Sequence, residues 1–105
     1  MPNSIEIVAQ DDVTLVLHCG NREVVVDKRR RIVRSESQIL AHFDAIKSID
    51  ITHYSSIDAG PDYWAVALNL SWFSSISIGR TEDSTDASIA AAHLSTFTGK
   101  KVRAL

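Results

Sequence analysis

The sequence predicts an α+β domain in which an antiparallel sheet of about six or seven strands is covered on its apolar face by one C-terminal helix. Three observations carry this expectation. Alternating or β-branched segments fill the chain as far as Arg80, helical spacing starts only beyond it, and no strand–helix–strand alternation intervenes. The 105 residues, 45% of them hydrophobic with four Gly and two Pro, suit one globular unit spanning 1–105 whose core needs neither disulfide nor metal. The same figures exclude disordered, collagen-like and low-complexity architectures.

Residues 5–9 alternate Ile5, Ile7 and Ala9 with Glu6 and Val8, and residues 13–18 alternate Val13, Leu15 and Leu17 with Thr14 and Val16, so both predict strands joined through Gln10-Asp11-Asp12. Cys19-Gly20-Asn21-Arg22 has turn chemistry, and Glu23-Val24-Val25-Val26-Asp27 resumes β composition, which predicts a hairpin. Lys28 to Arg34 either continues as strand or contains a second turn, and Ser35-Glu36-Ser37 reads as loop. A strand over 48–54 places Ile49, Ile51 and His53 on one face and polar residues on the other. Ser55 to Asp62 reads as an exposed loop. Trp64, Val66, Leu68 and Leu70 then share a strand face, Ser71 to Ser75 turns the chain, and Ile76 and Ile78 return it in a strand ending at Gly79.

Thr81-Glu82-Asp83-Ser84 offers N-cap side chains, and Ala87, Ala90, Ala91, Leu94 and Phe97 form one apolar stripe, predicting a helix over about 84–98. Gly99 suits the C-terminal cap, and Lys100 and Lys101 suit the negative end of the helix dipole.

Eleven Lys+Arg against thirteen Asp+Glu leave a formal charge of −2, so nucleic acid or anionic lipid would have to be met by a local patch. The lone Cys19 forms no intrachain disulfide, the N-terminal residues lack a leader pattern, and the longest apolar runs are far too short to span a bilayer. A cytoplasmic location with no transmembrane segment is expected.

Several segments then carry a family resemblance: the basic hairpin Arg22 to Arg31, Phe43 to Ile51, Tyr63 to Leu70 with Ile76-Ser77-Ile78-Gly79, and Asp86 to Leu94 followed by Gly99-Lys100-Lys101-Val102. Their order resembles the small bacterial PH-like (pleckstrin-homology-like) domains. The resemblance implies a strongly bent sheet, a PH-like barrel, closed at one end by the helix. It also implies a non-enzymatic interaction module that binds protein partners or associates with itself.

Two constellations are candidate sites. Lys28, Arg29, Arg30, Arg31 and Arg34 place five cations in seven residues, able to pair with phosphate or carboxylate oxygens. The resemblance points the same way, because a basic loop between early strands holds inositol phosphates in eukaryotic PH domains. The competing structural reading makes these residues solvated positions balanced by Glu23, Asp27 and Glu36. Trp72 and Phe73 put two large apolar side chains at a hairpin tip, where exposure would mark a contact surface or a homo-oligomer interface.

Other chemistries lack their parts. No aromatic interleaves the cations between Arg22 and His42, which argues against nucleic acid. His18 and Cys19 are adjacent on a strand, and His42, His53 and His93 are scattered, so no metal or other cofactor is expected. No Gly-x-Ser-x-Gly elbow, phosphate-cradling glycine loop or carboxylate pair is present, and the chain reads as non-enzymatic.

Overall fold

Strands β1 (Ile5–Gln10), β2 (Thr14–Cys19), β3 (Arg22–Asp27), β4 (Ile32–Ser35) and β5 (Gln38–His42) form an antiparallel meander, each paired with the next. The structure is a computed structural model that describes residues 4–55, 60–71 and 73–105. Side-chain oxygens shape two of the turns. Asp11 Oδ1 accepts the N–H groups of Val13 and Thr14, both at 2.8 Å, and Asp27 Oδ1 accepts those of Arg29 and Arg30 at 3.0 and 3.1 Å. Gly20 opens the β2–β3 hairpin at φ 67°, a conformation that disfavours side chains.

A single turn of 3-10 helix (Phe43–Ala45) leads into the second sheet: β6 (Ser48–Tyr54), β7 (Tyr63–Ser71), β8 (Ser74–Thr81) and β9 (Lys101–Ala104), in the order β8-β7-β6-β9. Helix α1 (Ser84–Thr98) lies between β8 and β9 in sequence. It packs against β6 and β7 of the second sheet and against β1 of the first, so the core lies where the two sheets and the helix meet.

The α+β class and the helix span agree with the sequence. Asp83 Oδ1 caps the helix through the N–H of Thr85 at 2.8 Å, Gly99 ends it at φ 75°, and Ala87, Ala90, Ala91, Leu94 and Phe97 are all buried. Strand β6 has the expected bounds. The sheet architecture, however, needs correction. Nine strands among the described residues form two sheets rather than one sheet of six or seven, and neither sheet is closed or strongly curled.

Each departure can be traced to particular residues. Arg31, at φ 57°, ends a turn that separates β4 from β3. Five-residue β5 lies between the Glu36-Ser37 turn and the 3-10 turn that begins at buried Phe43, and its Gln38 and Ile39 are exposed, so it lacks a clean alternation. Strand β9 has four exposed residues and follows the helix; it pairs in parallel with β6, so the second sheet is mixed and the helix is not the last element.

One polar link and one close packing contact join the sheets. Arg22 on β3 donates through Nη2 to the carbonyls of Ser77 and Ile78 on β8, at 2.8 and 2.7 Å. Gly79 does not end its strand as expected but lies inside β8, where an added Cβ would be 2.8 Å from Cys19 Cβ on β2. The polar face of β6 is also less open than its sequence implies, since Ser48 and Asp50 are both buried.

Candidate functional site

The sequence-predicted cations divide into two groups. Lys28, Arg29, Arg30 and Arg31 occupy the β3–β4 turn, whose side chains are exposed. Lys28 Nζ lies 5.9 Å from the centre of the Phe97 ring, which places this turn beside the C-terminal end of α1, where cations are favoured. Arg31 stacks 5.4 Å from the Phe43 ring centre and reaches Asp44 Oδ1 at 2.9 Å. Arg34 stands apart. It is at the other end of β4, with Nη1 donating to the Glu36 carbonyl at 3.2 Å.

Charge balance in the turn also differs from the sequence reading. Asp27 approaches Arg30 at a loose 3.9 Å, Glu23 faces His18 at 3.4 Å, and Asp44 is the carboxylate that holds Arg31. The Arg31 hydrogen bond pulls the Asp44 carboxyl below its ordinary range, and Lys100 and His42 act in the same direction. Lys28 and Arg31 therefore converge with groups from other parts of the chain, the Phe97 ring and Asp44. Sequence spacing could not show that convergence.

The second predicted surface is the β7–β8 tip. Phe73 is 100% exposed, and its N–H points at Ser71 Oγ, 3.4 Å away. Trp72, the other residue expected there, lies outside the described residues.

A third feature was not anticipated from the sequence. At one end of the outer face of the second sheet, Lys47, Ser48, Asn69, Ser71 and Arg103 line a groove of about 400 Å³. A smaller trough of about 330 Å³ shares Asn69 and Arg103 and runs on over Ala65, Ala67, Ser75 and Ser77. Asp50 forms part of the floor. Arg103 donates to it twice, from Nε at 2.9 Å and Nη2 at 2.8 Å, while Ser48 Oγ donates to Oδ1 at 2.7 Å. The Arg103 bond is the chief reason that the Asp50 carboxyl titrates below its ordinary range, against the opposing effect of burial.

The histidines are dispersed. His53 Nε2 lies 3.0 Å from Asp62 Oδ2 and stacks on Trp64 with centroids 4.6 Å apart, while Tyr54 and Tyr63 stack at 4.9 Å. Among the described residues, no three His, Cys, Asp or Glu side chains are grouped to hold a metal ion, and no helix is long and apolar enough to cross a membrane.

Cys19 is buried where β2 passes β8, and burial raises its thiol pKa to about 11 despite Arg22 nearby. At pH 8 a disulfide reagent such as DTNB should label the folded protein roughly 100-fold more slowly than the urea-unfolded chain. Equal rates would show that the β2–β8 contact opens readily.

No family model, curated protein or solved structure matches this chain.

Proposed function

We propose that the chain is a non-enzymatic, PH-like interaction module of a reducing, cytoplasmic compartment, and that it engages protein, a second copy included, through the β7–β8 tip. The observation that carries this reading is Phe73, wholly exposed at a turn. A phenylalanine there contributes nothing to the core, whereas burying it against a partner stabilises a complex by about 1.5–3 kcal/mol. The strand meander, second sheet and covering helix support the PH-like reading by their order along the chain.

Size-exclusion chromatography with light scattering tests the proposal, at low and high salt and matched protein concentration. The expected result is a salt-resistant dimer or larger assembly that both Phe73→Ser and Trp72→Ser return to monomer. A wild-type monomer under every condition would remove self-association from the proposal.

A second reading, binding of anionic phospholipid or another phosphate ligand by the basic turn, is favoured by one specific arrangement. Asp27 fixes the backbone of Arg29 and Arg30, and Asp44 holds Arg31 at 2.9 Å, so one turn presents all three guanidinium groups. This reading expects salt-sensitive binding to anionic liposomes that is lost in the Arg29→Ala/Arg30→Ala/Arg31→Ala variant.

A further inference from the structure

We infer that the groove lined by Lys47, Ser48, Asn69, Ser71 and Arg103 is a binding site for an oxyanion, the phosphate or carboxylate group of a small solute. The site is separate from the basic turn and borders the Phe73 tip through Ser71, and it rests on neither reading above. Its residues come from three strands and the segment preceding β6, so the fold assembles it from distant parts of the chain.

Lys47 is exposed, and among the described residues its ammonium makes no ion pair. Its backbone N–H is held by the Asn69 carbonyl at 2.7 Å, which fixes where the side chain starts. Arg103 spends Nε and Nη2 on Asp50 and keeps the N–H groups of Nη1, on a side chain that is 51% exposed. The Ser71 hydroxyl receives the long contact from the Phe73 N–H and retains its own proton to donate.

The acidic group of the adjoining trough does not cancel this donor surplus. Asp50 is 5% exposed, and both its oxygens are occupied, by Arg103 on each and by Ser48 on one. It orients the guanidinium plane, and its charge offsets that of Arg103, so the surplus positive charge here is that of Lys47. Asp44, three residues before Lys47, is engaged by Arg31. Lys101 pairs in register with Ser48 and alternates with Arg103 along β9, which adds a further cation on the groove's face. Ser48 Oγ and one Asn69 Nδ2 proton are committed, to Asp50 and to the Ser71 carbonyl, but a space of about 400 Å³ bordered by the Lys47 ammonium, Arg103 Nη1 and the Ser71 hydroxyl calls for a ligand rich in acceptors.

The test is a ¹⁵N–¹H NMR titration of the full chain with sodium phosphate, sodium acetate and sodium chloride at constant ionic strength. Phosphate is expected to give saturable shifts centred on Lys47, Ser48, Asn69, Ser71 and the Arg103 Nε–H. Lys47→Gln should weaken that binding roughly tenfold, while Lys47→Arg keeps most of it and Arg29→Ala/Arg30→Ala leaves it unchanged. Saturation by acetate at the same residues extends the site to carboxylates, and its absence restricts the site to phosphate. Shifts that never saturate, that chloride reproduces, that survive Lys47→Gln, or that disappear with Arg29→Ala/Arg30→Ala each overturn the inference.

Discussion

Gly79→Ala is expected to destabilise the protein by about 1–3 kcal/mol, lowering Tm by roughly 5–15 °C, although the change adds one methyl group inside a strand that would ordinarily favour it. The new Cβ would lie 2.8 Å from Cys19 Cβ, 3.1 Å from its Sγ and 3.3 Å from Ile5 Cγ1. The first of these atoms is attached directly to the β2 backbone, so no rotamer change relieves the contact. Strands β2 and β8 belong to different sheets, and relief requires the sheets to separate. That movement would also stretch the two Arg22 bonds to the β8 carbonyls.

Urea unfolding of wild type, Gly79→Ala, Cys19→Gly and the double variant provides the measurement. Removing the opposing Cβ should recover part of the loss, visible as a favourable coupling in the double-mutant cycle. Gly20→Ala is a useful contrast: nothing lies within 4 Å of its added Cβ, so its penalty comes from φ 67° alone. That penalty is about 1 kcal/mol. A loss at Gly79 below about 0.5 kcal/mol would show that the sheets move apart easily.

Arg103→Ala should destabilise the protein by about 1–3 kcal/mol at neutral pH, because it leaves the buried Asp50 carboxylate with Ser48 as its remaining side-chain partner. The magnitude is below that of a fully buried pair because half of the Arg103 side chain faces water. The acid dependence follows from the lowered Asp50 pKa. A carboxyl that is more acidic when folded than when unfolded stabilises the fold above its unfolded pKa, near 4, and this stabilisation is lost as pH falls through the lower folded value.

Wild type and Arg103→Ala should therefore differ by a constant amount from about pH 5 to 8 and converge below about pH 4. Urea midpoints at pH 7 and pH 3 check this. A gap of equal size at both pH values would show that Arg103 acts through packing of its aliphatic stem over β6, with charge playing no part.

What was legible in the sequence is what neighbouring residues enforce. The helix could be placed over 84–98 because its cap at Asp83, its stripe from Ala87 to Phe97 and its stop at Gly99 all lie within one short stretch. Strand β6 was found from the alternation of Ile49 and Ile51 with polar partners, and the Gly20 turn from its residue type. Strand β5 escaped because five residues of weak alternation give little periodic signal, and β9 because nothing in Lys101 to Ala104 demands a strand until β6 lies beside it.

The candidate sites divide in the same way. The cations of the β3–β4 turn, like Trp72 and Phe73, are consecutive in the chain, so composition revealed them. The groove was invisible because Lys47 and Arg103 are brought to one surface by a parallel pairing that closes only after α1 crosses the core. Gly79 was misread for the same reason, since the atom that excludes a side chain there belongs to a strand 60 residues earlier. Hydrophobic period and capping act over a few residues and can be read along a chain. The approach of one sheet to another, the burial of Asp50 and the grouping of Lys28 with the end of the helix are contacts between distant segments, established when the core excludes water.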